Sequence, residues 1–296
     1  MTSELTATVI VPTYNRADLL ARTLESVERQ DVARHRLEVV VVDDGSTDGT
    51  REVVERFSPS LGARYLFQPD EGYRVAAARN LGIRAATGDV CVFVDSGVAL
   101  GRSCVAAHLR AHESTPEPVA VVGYVYGFEQ DDVEAAQIRA DIDLTDLDGT
   151  MDRFARTGLW PDMRERSYAR YDDDIAGLPA PWLLYWTCNT SASTAQLREV
   201  GMFDEAFTSW GAEDVDVALR LHRAGARFVV DRDARAVHLP HPKRYADRED
   251  DVVSNYRYMA DKYRDPVVDL LAEVPTIDLR DLNEVIRARG LVVPTA

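Results

Sequence analysis

No apolar stretch in the 296 residues approaches the roughly 18–20 that a bilayer-spanning helix needs. The opening residues, Met1 to Thr8, are polar and run straight into a strand, which is no signal peptide. A cytoplasmic protein is expected. Cysteine is scarce. Cys91, Cys104 and Cys188 stand far apart without metal-ligand spacing, and Cys91 lies in an apolar run. Each reads as a buried reduced thiol, and the odd count fits a reducing compartment. Positive charge is also short: 34 Lys and Arg face 50 Asp and Glu, for a formal net charge of -16. A surface that acidic repels nucleic acid and anionic lipid, so neither is an expected partner. No Gly-any-Gly-any-any-Gly follows the first strand, which disfavours a dehydrogenase. There are no repeats and no low-complexity linkers.

What remains is an ordinary globular composition, 46% hydrophobic and 28% charged. Ala7 to Val11 is a short β-branched run closed by Pro12, and a helix pattern follows from Ala17 to Arg29. Leu37 to Val42 is a near-continuous apolar strand of the kind buried on both faces of a parallel sheet. A helix from Thr50 to Phe57, a strand from Arg64 to Phe67, a helix from Val75 to Ala86 and a strand from Asp89 to Val94 come next. This alternation predicts an α/β fold with a mostly parallel, Rossmann-like sheet flanked by helices. Ligands of such sheets sit beyond the carboxyl ends of the strands. Pro12 to Asn15, Asp43 to Ser46 and Asp95 to Gly97 all fall at such ends.

The second half is less regular. Val119 to Tyr126 and Trp182 to Thr187 read as strands, and Ala195 to Val200 as a short helix. Glu213 to Ala224 reads as a helix, with short strands at Phe228 to Val230 and Ala236 to Leu239. Asp141, Asp143, Asp146 and Asp148 resemble a calcium loop but lack its Gly and terminal Glu, so a solvated, partly helical excursion is expected. One compact domain with a C-terminal extension is expected: residues 1–100 as one half, 101–244 as the other half of the same domain, and 245–296 as helical extension.

Two adjacent aspartates at the end of a buried strand, Asp43 and Asp44, must be solvated or bonded. They could form an Asx-turn capping the next helix. Alternatively, Tyr14 offers a ring for a base to stack on, and Asn15 and Asp44 offer hydrogen bonds to its edge. Two neighbouring strand ends would then make a nucleoside pocket.

The segments ATVIVPTYNRADLLARTLESV, LEVVVVDDGSTDGT, AAARNLGIRAATGD and VFVDSG, in that order, resemble the family 2 glycosyltransferases of GT-A fold. The resemblance runs from about Thr8 to Pro242. It implies that Pro12, Tyr14, Asn15 and Asp44 surround the base and that Arg79 and Asn80 lie near the diphosphate and ribose. A guanidinium suits an anion there, although Arg79 could equally be a surface helix charge. The family's Asp-any-Asp is Asp95-Ser96-Gly97 here, so the last carboxylate is missing. Asp95 would contact the ribose, a divalent cation (Mn2+ or Mg2+), or both. An acidic protein holding a diphosphate needs such a cation. His238, in Ala-Val-His-Leu-Pro-His-Pro, is the second ligand candidate and His241 its rival, while a structural histidine is the plain alternative.

The stretch Trp210-Gly211-Ala212-Glu213-Asp214 resembles the Trp-Gly-any-Glu-Asp segment of galactosyl- and N-acetylgalactosaminyltransferases. The resemblance implies that Asp214 is the catalytic base, that Glu213 binds a hydroxyl and that Trp210 is a platform for a sugar ring. Carboxylates opening a helix could also be simple caps. Trp186, with Trp160 and Trp182, would shape the acceptor pocket. The expected reaction is inverting transfer from a nucleotide-diphosphate sugar, a UDP-sugar in preference, to a hydroxyl of a small molecule, peptide or glycan. A nucleotidyltransferase and an inactive nucleotide-sugar-binding module are the competing readings. The first would want a Gly-rich basic loop where Pro12-Thr13-Tyr14-Asn15 stands, and the second is prompted by Gly97.

Overall fold

In a computed structural model describing residues 4–128, 132–241, 245–274 and 276–291, the strand-helix alternation of the first hundred residues forms as its apolar pattern dictates. The elements are β1 (Ala7–Thr13), α1 (Ala17–Glu28), β2 (Leu37–Asp43), α2 (Thr50–Leu61), β3 (Arg64–Phe67), α3 (Val75–Ala85) and β4 (Val90–Val94). Every residue of β1 and β4 is buried, as strands covered on both faces require. Gly82 lets α3 lie against β1, because a Cβ there would stand 2.5 Å from Ile10 Cγ2.

The chain continues through β5 (Val98–Leu100), α4 (Cys104–Glu113), β6 (Val119–Tyr126), α5 (Asp132–Asp141), α6 (Leu147–Thr157) and α7 (Glu165–Arg170). It ends with β7 (Asn189–Ser193), α8 (Thr194–Glu199), α9 (Glu213–Arg223), β8 (Arg227–His238), α10 (Tyr245–Tyr263) and α11 (Leu282–Ala288). The eight strands of the described residues form one sheet in the order β3-β2-β1-β4-β7-β6-β8-β5. β7 runs antiparallel to both its neighbours and β5 antiparallel to β8, while the other pairings are parallel.

Two expectations are corrected. Trp182 to Thr187 is not a strand: Pro181 opens a 3₁₀ turn over Pro181–Leu184, and the strand is the next segment, Asn189–Ser193. That run of small polar residues shows no apolar pattern, yet it lies buried between β4 and β6. Asn189 and Ser191 are satisfied from α4 and β8, with His108 and His112 on Ser191 Oγ at 2.9 and 3.0 Å and Asn189 Nδ2 on the Ala234 carbonyl at 2.7 Å. The two short strands near the end are one twelve-residue strand, β8, whose polar middle hides its continuity. β5 and α4, absent from the expected elements, carry the chain from the end of β4 to the far side of the sheet. The aspartates of the calcium-like stretch are structural: Asp146 caps α6 through Gly149 N, and Asp148 accepts from Arg102 N.

β8 has a consequence for the site. Its end pairs with β5 so that His238 faces Val98, and Leu239 N donates to the Gly97 carbonyl at 2.7 Å. His238 is thereby delivered beside the Asp95-Ser96-Gly97 turn. The C-terminal helices share the main hydrophobic core through Tyr256, Met259, Leu271 and Ile286, all nearly inaccessible.

Candidate active site

The carboxyl ends of β2, β1 and β4 lie side by side, which brings the loops after Thr13, Asp43 and Val94 together. The two adjacent aspartates separate into different tasks. Asp43 makes the Asx-turn, accepting from Ser46 N at 2.8 Å and from the Tyr65 hydroxyl at 2.6 Å. Asp44 does not. It accepts from Gln68 Nε2 at 2.6 Å and Arg74 N at 3.1 Å, and burial raises its pKa above the usual carboxylate value. Neither caps α2; Asp48 does that work, accepting from Thr50 N and its hydroxyl. Gly45, at φ 92°, allows the backbone of Asp70 to approach so closely that any Cβ would collide with it.

Asn15, also left-handed at φ 49°, holds two loops together: Thr47 N donates to its Oδ1 and its own N–H donates to Ser46 Oγ, both at 2.8 Å. Pro12 is buried at the end of β1. Tyr14 has an exposed ring, and its hydroxyl donates to Asp70 Oδ2 at 2.8 Å, a bond that raises its pKa. The loop from Gln68 to Arg74 therefore closes one side of this cleft. Arg74 contributes its backbone N–H to Asp44, while its side chain pairs with Glu71.

Arg79 is no surface charge. Its side chain is 4% exposed and donates to Glu213 Oε1 at 2.7 Å and Asp95 Oδ1 at 3.0 Å. Burial opposes the cation, but Asp95 and Glu213 outweigh it and raise its pKa. Asn80 is spent on the segment before Trp210: its Nδ2 donates to the Phe203 carbonyl and Glu205, and its Oδ1 accepts from Phe203 N.

At the start of α9, Gly211 and Ala212 are both left-handed, at φ 93° and 73°. For alanine that conformation is strained by about 1–3 kcal/mol, a cost that clusters at functional sites. The strained turn presents Trp210, 37% exposed, and then Glu213 and Asp214. Glu213 is buried, and its Oε2 has no hydrogen-bond partner among the described residues. Asp214 accepts from Val215 N at 2.8 Å and, more loosely, from Thr187 N at 3.4 Å. Burial, and then the charge of Glu213, push its pKa up to about 7. That is the range a base needs near neutral pH. Capping is part of its role, since Asp214 takes the free first-turn N–H of Val215, but Glu213 turns instead to Arg79 and the Ncap of α9 is Ala212.

Of the three tryptophans expected at the acceptor side, Trp182 is buried in the core and Trp160 is tied to Asp141. Trp186 is half-buried with the Arg164 guanidinium 5.3 Å from its ring centre, and Thr187 beside it contacts Asp214. Arg164 is itself locked to Asp162 at 2.7 Å inside the protein.

Four residues at the site carried no recognised signal. Gln68 fixes Asp44. Tyr73 lies in the closing loop, 40% exposed as a whole; desolvation of its hydroxyl and the charge of Glu213 raise its pKa against the opposing charge of Arg79. Asn255 and Tyr256 reach the site from α10: Asn255 holds the turn before Glu213, and Tyr256 feels the charges of Asp214 and Glu213.

Asp95 offers a carboxylate and His238 an imidazole, a mixed pair that Mn2+ accepts, whereas Mg2+, which takes oxygen ligands, would use Asp95 alone. The Asp95 side chain is 41% exposed with one oxygen on Arg79, and the His238 and His241 rings lie 5.1 Å apart. Among the described residues no group of three or more His, Cys, Asp and Glu could hold a metal. A cation here would draw most of its ligands from a bound diphosphate and water. No helix among them is long and apolar enough to cross a membrane.

Residues 8–170 match glycosyl transferase family 2, and residues 174–242 match the N-terminal domain of galactosyltransferase. Validoxylamine A glucosyltransferase of Streptomyces hygroscopicus is 39% identical over 79% of this chain and 56% of its own length, so the chain spans about half of that relative. The uncharacterized glycosyltransferase YfnE of Bacillus subtilis is 30% identical over 87% of this chain and 70% of that protein. Among solved structures, the mannosyltransferase PcManGT from Pyrobaculum calidifontis, in complex with GDP-Man and Mn2+, superposes with a TM-score of 0.61 at 23% identity, covering 98% of this chain and 76% of that one. S. aureus TarS 1-349 in complex with UDP gives 0.57 at 18% identity, covering 96% and 92%.

Proposed function

We propose, from the premise that the chain belongs to glycosyl transferase family 2 and has the GT-A fold, that it moves a sugar from a nucleotide-diphosphate sugar to an acceptor hydroxyl with inversion. The observation that carries this reading is the Glu213–Asp214 pair, held by Arg79 to Asp95 with the Asp214 carboxyl raised to about 7. One end of this linkage lies at the strand ends where a nucleotide would sit, and the other carries a base.

In the reaction, Asp214 takes the proton from the acceptor hydroxyl as its oxygen bonds to the anomeric carbon. The bond from that carbon to the diphosphate breaks on the opposite face, and the electron pair leaves with the nucleotide. Glu213, with Oε2 unpartnered, accepts a hydrogen bond from a sugar hydroxyl. Trp210 and Trp186 supply ring faces for the sugars. Asp44 accepts from the base, a uracil imide N–H in preference, and the Tyr14 ring stacks on it. Pro12 and Asn15 shape that pocket, and Asn80 holds the segment leading to Trp210. Asp95, with His238 or His241, would hold a divalent cation that offsets the diphosphate charge.

The competing readings are less well supported. A nucleotidyltransferase would need a phosphate cradle after β1, where Asn15 instead ties two loops together. An inactive module gives no reason for a strained turn that presents a carboxylate near pKa 7. The test is release of nucleotide from UDP-glucose, UDP-GlcNAc, UDP-galactose and GDP-mannose with added acceptors, with product anomeric configuration read by NMR. Release of pyrophosphate, or no release from any donor, would contradict the proposal.

A further inference from the structure

We propose that Asn255, in α10, is a positioning residue for the transfer reaction: its amide fixes the Ser209–Ala212 turn that aims Trp210, Glu213 and Asp214. This rests on the function proposed above but uses a part of the chain beyond residues 8–242, which carry the two family matches.

Asn255 is 8% exposed, and its Nδ2 faces three successive carbonyls, of Ser209 at 3.4 Å, Trp210 at 3.3 Å and Gly211 at 2.8 Å. Its Oδ1 lies 3.2 Å from Ser209 Oγ. Few side chains could do this, since three acceptors on one face call for a small group with two N–H donors and no charge. One turn before it on α10, Val252 lies against Gly211, where a Cβ would stand 3.0 Å from Val252 Cγ2, and Asp251 accepts from Trp210 N at 3.4 Å. The turn held this way contains the left-handed Gly211 and Ala212. Strained backbone persists only where its surroundings over-determine it, and α10 supplies those surroundings. Releasing the carbonyls would let Ala212 relax and turn the first residues of α9, so Glu213 and Asp214 would leave their places without losing any contact of their own to donor or cation.

The test uses Asn255→Ala and Asn255→Asp, the second keeping the shape while replacing the donating amide. Wild type and both variants are compared by UDP calorimetry, by hydrogen exchange of peptides covering 207–216, and by nucleotide release from whichever sugar nucleotide of the four-donor panel wild type turns over fastest. Expected are unchanged UDP affinity, exchange in 207–216 faster by about tenfold with the rest unchanged, and kcat lower by roughly 10²-fold, as small misplacements cost. Wild-type exchange in 207–216, or full activity of Asn255→Asp, would overturn the proposal. So would loss of UDP binding, which would make Asn255 a general prop of the fold. A wild type that releases no nucleotide sinks the glycosyl-transfer reading instead, and the exchange result still decides whether Asn255 fixes the turn.

Discussion

Arg79 and Glu213, 134 residues apart in the chain, meet at 2.7 Å inside the protein, and the other terminal nitrogen of Arg79 reaches Asp95. A guanidinium removed from water needs both carboxylates, and a carboxylate as buried as Glu213 needs the guanidinium. Arg79 thus ties Asp95, at the end of β4, to Glu213, at the start of α9.

Arg79→Ala should cost about 3–5 kcal/mol of stability, because it leaves Glu213 buried and uncompensated. Arg79→Ala combined with Glu213→Gln should recover much of that. Urea unfolding of the single and double variants checks both values.

The adjacent aspartates should respond differently. Asp44→Asn should weaken UDP binding by about 1–3 kcal/mol, the range for losing a charged hydrogen-bond acceptor. Asp43→Asn should loosen the turn to Ser46 and Tyr65 and lower stability, with little effect on UDP affinity once folded. Calorimetry and thermal melting of the pair separate the roles.

Asp214 links activity and stability to pH in opposite directions. As a base it must be ionised, so transfer should rise with pH through about 7. Its folded-state pKa lies above the unfolded value, so its contribution to stability is fully present below the unfolded pKa and is lost as pH rises through about 7. Asp214→Asn should accordingly be more stable than wild type at pH 8 and lose that advantage near pH 4. Melting curves across that range read it directly.

Manganese should bind the free protein weakly and should tighten UDP binding, since the diphosphate supplies ligands the protein lacks. Asp95→Asn should remove that enhancement. Of His238→Ala and His241→Ala, the one that also removes it identifies the second ligand. UDP titrations with and without Mn2+, and with excess chelator, measure all of this.

Much of the first half was legible because buried parallel strands are near-continuous apolar runs and their loops are punctuated by Pro12, Gly45 and Gly97. Legibility failed where polar residues are buried. β7 is Asn-Thr-Ser-Ala-Ser, and its Asn189 and Ser191 find their partners, His108, His112 and Ala234, in distant segments. Sequence placed Asp44, Asp95, Glu213 and Asp214 at element ends, but not the buried linkage through Arg79, which depends on tertiary approach. Asn255 had a faint signal: it interrupts an apolar stripe of Val252, Tyr256 and Met259 at helical spacing, where an uncharged polar residue implies a buried partner.

The central claim, that Asp214 is the base of a sugar transfer, is tested most directly by Asp214→Asn. Single-turnover transfer from the preferred donor and UDP affinity are measured on the same preparation. A base at Asp214 requires a fall in rate of about 10²–10⁴-fold with unchanged UDP affinity and no rate increase through pH 7. Turnover of the Asn variant near the wild-type rate would contradict it.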